Sequence, residues 1–276
     1  MPDDAPIYRS TRSIVMVHGE LFYERHRSCV CPAYDLDERG QVNLFGSVIL
    51  VRIAHLHFAI SGKRVVELLS DRALIIGADG PVEIGKPQFF FTRGTSGRTD
   101  RFDLAFGALT ATQVRGLGDC QYLSLSQLDS KERPDYSRPM GSKYFVLGYP
   151  GSAVALPKPG ALAVPASLVV PALPAGQGTY AKLGLVEHGH LLLDLDRKSV
   201  SDPEGPVTAP SFRGLTGGAW SAPRDLNPSQ PPERLLGFFV EYEAGGLKTI
   251  VVTRIGAALE GIKRSFPPLR DVLAAT

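Results

Sequence analysis

The chain has 276 residues, which is enough for one large domain or two packed halves. Its composition, 43% hydrophobic and 21% charged, is that of a folded globular protein and excludes gross disorder. A formal net charge of +2 favours neither nucleic acid nor an anionic membrane as a partner. The 29 glycines and 22 prolines are typical of short strands joined by turns.

The first forty residues form a polar leader, which we interpret as an N-terminal arm (1–40) that could contribute an extra strand. The leader lacks the apolar core of a secretory signal, and no run in the chain reaches the ~18 apolar residues of a membrane helix. The three cysteines, Cys29, Cys31 and Cys120, are an odd and sparse set that indicates reduced thiols and a cytoplasmic location. Cys29 and Cys31 could be half of a metal site, but no second pair completes a zinc tetrahedron. We therefore predict neither metal nor cofactor.

Short runs rich in Val, Ile and Leu follow the leader and predict the strands of a first β-barrel over 41–135. The predicted strands cover 44–53, 57–61, 72–77, 89–91 and 102–109. A polar segment over 126–142 then predicts an exposed crossing between the two halves of the chain.

A second series of apolar runs predicts a second β-barrel over 136–254. Its predicted strands cover 144–150, 180–186, 190–195, 235–242 and 247–253. The segment 157–178 is rich in Pro, Ala and Gly and predicts a surface loop or a covering flap, because proline is rare in central strands. From Ile255 to Ile262 apolar residues recur at helical spacing, which predicts a helix within a C-terminal segment over 255–276. Composition alone would allow a sandwich as readily as two barrels.

Four segments resemble motifs of the trypsin-like (chymotrypsin-fold) serine peptidases, and they follow one another along the chain in the order in which that family has them. Residues 214–220 read Gly-Leu-Thr-Gly-Gly-Ala-Trp and are similar to the family's Gly-x-Ser-Gly-Gly nucleophile loop, with Thr216 at the serine position. Residues 46–51 and 58–65 resemble the histidine strand and put Arg64 at the histidine position. Asp103-Leu104-Ala105-Phe106 resembles the aspartate strand, and Gly148-Tyr149-Pro150 a common start of the second barrel.

This resemblance, to the bacterial branch of the family, covers roughly residues 43–265 and implies an all-β fold of two six-stranded antiparallel β-barrels with a C-terminal helix. It also implies an oxyanion-hole-like pair of amides at Gly214 and Thr216. The cleft positions that it implies are Pro210 at the pocket floor, Arg213, Gly217, Gly218, Phe238 and Phe239. The two phenylalanines could wall the pocket or belong to the core, since alternate strand residues face inward.

The residues at the triad positions, Arg64, Asp103 and Thr216, do not form a working set for acyl transfer. A guanidinium group has a pKa above ~12 and no acceptor lone pair, so Arg64 cannot act as the base. Threonine nucleophiles typically use the chain's terminal amine, and Thr216 is internal. His57 lies about 23 Å from Arg64 along an extended strand, so it is no substitute. We expect Arg64 either to form a buried bidentate ion pair with Asp103 or to turn towards solvent.

The sequence therefore predicts a catalytically inactive pseudopeptidase that binds a protein or peptide segment in its cleft without cutting it. An alternative is a weakly active hydrolase with Thr216 as the nucleophile. A third interpretation is that the fold serves only as a scaffold for assembly.

Overall fold

In the part of the chain that the structure describes, strands outnumber helices and form two sets that follow one another in the sequence. The computed structural model describes residues 19–36, 42–69, 73–77, 80–85, 88–92, 102–131, 144–150, 167–195, 215–221, 233–243 and 249–274. Within these ranges the first half forms an eight-stranded sheet and the second half forms a closed six-stranded barrel.

The sheet of the first half is antiparallel apart from one short parallel strand. Its strands are β1 (Val30–Leu36), β2 (Val42–Ile53), β3 (Leu56–Gly62), β4 (Ala73–Gly77), β5 (Gly80–Ile84), β6 (Phe89–Phe91), β7 (Leu104–Ala108) and β8 (Leu123–Ser124). They follow the order β5-β4-β1-β2-β3-β7-β6, and β8 pairs in parallel with β2. Among the described strands β5 and β6 are the two ends of this path, so the sheet stays open there. The prediction of two six-stranded barrels is therefore confirmed for the second half, whereas the described strands of the first half form an open sheet of eight strands.

The segment that was predicted to be an N-terminal arm contributes to this sheet. Strand β1 pairs with both β2 and β4 and is an interior strand. Residues 19–26, which precede it, are helical (α1) and pack on the second half of the chain. In α1 the Phe22 ring stacks on Phe145 with a centroid distance of 4.8 Å, and Arg25 Nη1 lies 2.6 Å from Glu233 Oε1. Residues 19–36 thus belong to the folded core, and the extra strand is β1.

The barrel of the second half closes in the order β10-β11-β14-β13-β12-β9. Its strands are β9 (Tyr144–Pro150), β10 (Leu168–Pro174), β11 (His190–Leu195), β12 (Leu215–Ser221), β13 (Leu235–Glu243) and β14 (Thr249–Arg254). Strand β10 lies in the segment that was predicted to be a loop because of its prolines. It pairs with β9 over 168–172 and with β11 over 172–174, so Pro171 and Pro174 each stand where the strand is paired on one side. That arrangement tolerates the missing N–H groups.

Five further helices connect and cover the strands: α2 (Lys63–Leu68), α3 (Ala111–Gly116), α4 (Gln177–Leu183), α5 (Ile255–Ser265) and α6 (Arg270–Ala274). Helix α4 replaces most of the strand predicted over 180–186. It ends at Leu183 and is capped by Gly184, which has a φ of +61°. Helix α5 confirms the predicted C-terminal helix, and Ile255 and Ile262 are fully buried. No helix in the described part of the chain is long and apolar enough to cross a membrane.

Side chains from both halves meet in one shared hydrophobic core. Ile49 and Phe58 of the sheet are buried together with Leu147 and Trp220 of the barrel. Helix α5 adds Ile255 to the same cluster. Because burial of such side chains is the main favourable term in folding, this shared core holds sheet and barrel together.

Two glycines allow backbones to approach closely where sheet and barrel meet. Gly46 of β2 has a φ of +156°, and a Cβ there would overlap Thr216 Oγ1. Gly148 of β9 lies opposite Gly217 of β12, and a Cβ on it would overlap the carbonyl oxygen of Thr216. Any larger residue at these positions would push β12 away from its neighbours.

We expect Gly148→Ala to lower the free energy of unfolding by ~1–3 kcal/mol, because the new methyl group overlaps backbone that cannot rotate away. The matched control is Gly178→Ala in α4, where no atom lies within 4 Å of the new Cβ. This control should be neutral or stabilising by up to ~1 kcal/mol. Denaturant unfolding of both variants measures the difference, and equal effects would contradict the packing described here.

Candidate functional site

Thr216 lies within a strand and not within a loop. Strand β12 begins at Leu215 and pairs with β9 on one side and β13 on the other, with Thr216 opposite Tyr149. Thr216 is 8% exposed. The prediction of a nucleophile loop is therefore wrong for residues 215–220. Gly214, Pro210 and Arg213 lie outside the described residues.

The hydroxyl group of Thr216 is held by the neighbouring sheet. The backbone N–H of Ser47 donates to Thr216 Oγ1 at 2.6 Å, and Ser47 Oγ donates to the Thr216 carbonyl oxygen at 2.6 Å. The same Ser47 Oγ accepts a hydrogen bond from the Tyr149 N–H at 2.7 Å. Ser47 is 1% exposed, so all three bonds are shielded from water. Ser47 of β2 thus joins the sheet to both β9 and β12 of the barrel.

Ser47 lies within residues 46–51, which resemble the histidine strand, but that resemblance does not predict this role. Its sequence signal is the pair Gly46-Ser47, two small residues inside a largely apolar strand. Pro32 lies opposite Ser47 on β1 and has no N–H to offer. The Ser47 carbonyl oxygen accepts from Ser61 Oγ at 2.7 Å instead.

The three triad-like positions meet around Gly62, the last residue of β3. A Cβ placed on Gly62 would lie 3.7 Å from Thr216 Cγ2, 3.9 Å from the Asp103 carbonyl oxygen and 3.9 Å from Val65 Cγ2. Arg64 is the second residue of α2, which starts directly after Gly62. The fold therefore brings together the neighbourhoods of all three residues that the sequence analysis singled out. The side chain that packs towards Thr216 from α2 is the buried Val65.

Arg64 and Asp103 make a long and exposed contact. Arg64 Nε lies 3.8 Å from Asp103 Oδ2, and the Arg64 side chain is 69% exposed. The expectation of a buried bidentate ion pair is therefore wrong, and the alternative, an arginine turned towards solvent, describes the structure better. Asp103 has a φ of +47°, and its carbonyl oxygen accepts from the Lys63 N–H at 2.7 Å. The backbone of Asp103 thereby fixes the start of α2.

The remaining cleft candidates that the structure describes are packing residues. A Cβ on Gly218 would lie 2.5 Å from the Trp220 ring and 2.7 Å from Ile49 Cδ1. Phe238 and Phe239 are each 1% exposed. Phe238 belongs to the core shared by sheet and barrel, and Phe239 to the barrel interior. The interpretation of both phenylalanines as core residues is confirmed.

His57 and His190 each pack against an aromatic side chain. His57 meets Tyr122 edge-on at a centroid distance of 4.5 Å, and His190 stacks on Phe102 at 5.6 Å. Burial, and then the charge of Arg52, lower the pKa of His57 below its usual value. The Thr216 side chain and carbonyl oxygen instead form hydrogen bonds with Ser47.

A cavity of about 550 Å³ lies away from Thr216, between β6 and α5, and the sequence analysis did not anticipate it. Its apolar wall is the run Phe89–Phe91 together with Phe102 and Phe106, and charged groups at its rim include Arg264 and Glu260. Phe90 is 46% exposed. Three consecutive phenylalanines on a strand are a sequence signal for such a site, because alternate residues face opposite sides and both faces of the strand are then apolar.

Comparisons with known proteins give structural likenesses only. No family model matches the chain, and no curated protein matches it. The chain is similar to the serine endoprotease from Yersinia pestis (TM-score 0.49, 12% identity), covering 89% of this chain and 65% of that one. It is also similar to the Rv3671c protease from M. tuberculosis in its active form (TM-score 0.43, 14% identity, 87% and 82% covered). These values assign no activity to the chain.

We expect Thr216→Val to lower the free energy of unfolding by ~1–3 kcal/mol, because the valine keeps the shape but leaves the buried Ser47 N–H without its acceptor. Thr216→Ser keeps that acceptor and should lose less. Thermal or denaturant unfolding measures both, and a Thr216→Val protein as stable as the wild type would contradict the hydrogen bond.

Arg64→Gln should change the free energy of unfolding by less than ~1 kcal/mol, because exposed ion pairs contribute little. Its unfolding curve, measured in low and in high salt, should stay close to that of the wild type. A loss as large as that caused by Thr216→Val would instead indicate a buried pair.

Proposed function

We propose that the chain is a catalytically inactive member of the trypsin-like peptidases, and that it acts by binding a peptide or protein segment. The observation that carries this proposal is the burial of Thr216, which is 8% exposed as a residue and whose hydroxyl accepts a hydrogen bond from the Ser47 N–H. In an active peptidase a base removes the proton from the hydroxyl as the oxygen attacks the carbonyl carbon. A hydroxyl that is buried against a second strand cannot reach an incoming carbonyl.

The residue at the base position supports the same conclusion. A guanidinium group has no lone pair with which to accept the hydroxyl proton, so an arginine at this position cannot act as the base. The Arg64 side chain is 69% exposed, so it does not seal a dry site around Thr216 either. The alternative of a weak hydrolase that uses Thr216 requires a different base and a reorientation of the threonine.

The best-supported place for a bound segment is the phenylalanine-lined cavity beside β6. Among the described strands β6 pairs with β7 alone, which leaves one of its edges for another strand. An extended peptide can add to such an edge through its backbone, while an apolar side chain enters the cavity. The occupant that we propose is therefore an extended segment of a partner protein with an aromatic or large aliphatic residue at its centre.

We further propose a cytoplasmic role in a bacterium. The three cysteines, which are all thiols in the structure, support a reducing setting. The bacterial assignment rests on the motif resemblance. Fractionation of the native host followed by immunodetection would test the location, and recovery of the protein outside the cytoplasm would contradict it.

We expect the wild-type protein to resist labelling by a fluorophosphonate probe, under conditions in which an active serine peptidase reacts completely. Thr216→Val is the matched control, because it removes the only candidate nucleophile of the triad-like set. Intact-mass spectrometry measures the adduct. Stable labelling at Thr216 that is absent from Thr216→Val would favour the hydrolase and overturn the proposal.

Peptides selected on the wild-type protein from a random display library should bind Phe90→Asp at least ~10-fold more weakly, because the charge disrupts the apolar wall of the cavity. The control is Leu68→Asp, which alters another exposed large apolar side chain (64% exposed) on α2. Fluorescence anisotropy measures the affinities, and circular dichroism checks folding. Equal affinity for wild type and Phe90→Asp would contradict a site at β6.

A further inference from the structure

Two of the three cysteines, Cys31 and Cys120, meet at one place although they are 89 positions apart in the sequence. Cys31 Sγ of β1 lies 3.9 Å from Cys120 Sγ. Cys120 follows α3, and the next residue, Gln121, donates its N–H to the Ser28 carbonyl oxygen at 3.0 Å. The segment that carries Cys120 is therefore fastened to the start of β1, so the approach of the two sulfur atoms follows from the backbone.

From these contacts we propose that Cys31 and Cys120 form a site of reversible oxidation, at which a hydroperoxide converts the two thiols into a disulfide. A disulfide requires an S–S distance of about 2.05 Å, so the two sulfur atoms must approach each other by roughly 2 Å. Cys31 is fixed in a strand paired with β2 and β4, whereas Cys120 lies in the turn after α3. Rotation of the Cys120 side chain is the smaller adjustment. The site is independent of the proposed peptide binding.

The different exposure of the two thiols sets the order of the steps. Cys120 is partly exposed, whereas Cys31 is 2% exposed, so a peroxide reaches Cys120 first. The Cys120 thiolate attacks one peroxide oxygen, the O–O bond breaks, and the departing hydroxide takes up the proton that the thiol had released, so a sulfenic acid and one water form. Cys31 Sγ then attacks the sulfenic sulfur, the S–S bond forms, the S–O bond breaks, and a second water leaves. In total the two thiols lose two electrons and two protons, and hydrogen peroxide is reduced to water.

Cys29 serves as an internal control, because its thiol forms a hydrogen bond with a backbone carbonyl group. Its Sγ donates to the His26 carbonyl oxygen at 3.0 Å, and it is 1% exposed. Burial raises the pKa of the Cys29 thiol to about 12, and the hydrogen bond to Cys120 and then burial raise the pKa of Cys31, so thiolate is scarce at both positions. What distinguishes Cys31 is the 3.9 Å approach of its Sγ to Cys120 Sγ. The Cys31–Cys120 pair should therefore form without Cys29.

The test oxidises the reduced full-length protein with hydrogen peroxide and counts thiols after unfolding. The count should fall from three to one and return to three with dithiothreitol, and non-reducing peptide mapping should join the Cys31 and Cys120 peptides. Cys29→Ala should still form the disulfide, whereas Cys120→Ser, at a partly exposed position, should fold but not form it. Oxidation should raise the melting temperature of the wild type by ~5 °C, because the link closes a long loop of the unfolded chain.

Three results would overturn the proposal. The first is a thiol count that stays at three under conditions that oxidise a reference dithiol protein. The second is a disulfide that includes Cys29, and the third is a link between two protein molecules instead of within one. Each of these outcomes leaves the proposed peptide binding untouched, since the Phe90 variants test that function separately.

Discussion

The junction of sheet and barrel depends on one buried serine. Ser47 donates its N–H to the Thr216 hydroxyl, donates its own hydroxyl to the Thr216 carbonyl oxygen, and accepts from the Tyr149 N–H. Each of these groups would be costly to bury alone, so the three bonds fix the spacing of β2, β9 and β12 together. Gly46 and Gly148 leave the room that this spacing needs. The same constraint decides what Thr216 can do, because its oxygen is used for structure.

This constraint also accounts for the glycine pattern around Thr216 through packing alone. In the family that the motifs resemble, glycines around the serine orient amides towards a substrate oxygen. In this chain Gly217 and Gly218 stand in a paired strand, where side chains would collide with β9 and with the Trp220 ring. Packing alone is thus a sufficient reason for both glycines. Arg64, beside this junction, keeps its side chain 69% exposed.

Much of the fold could be predicted from local patterns, and the errors have identifiable causes. The apolar runs of β2, β7 and β9 and the helical spacing of α5 determine their structure locally. Helix α4 stands where the sequence predicts a strand. Tyr180 and Leu183, three residues apart, lie on one face of the helix and pack in the same cluster. The prediction of a loop over β10 gives too much weight to proline, because a strand that is paired on only one side accepts this residue. The roles of Ser47 and of the Cys31–Cys120 pair could not be predicted, because they depend on contacts between residues far apart in the chain.

The hydrogen bond from the Ser47 N–H to the Thr216 hydroxyl is the contact on which the proposed inactivity depends. Amide hydrogen exchange of Ser47, followed by NMR, tests this most directly. The account predicts a strongly protected Ser47 amide in the wild type, and faster exchange there in Thr216→Val while the amides of α5 keep their protection. A Ser47 amide that exchanges freely in the wild type, or one that Thr216→Val leaves unchanged, would contradict it.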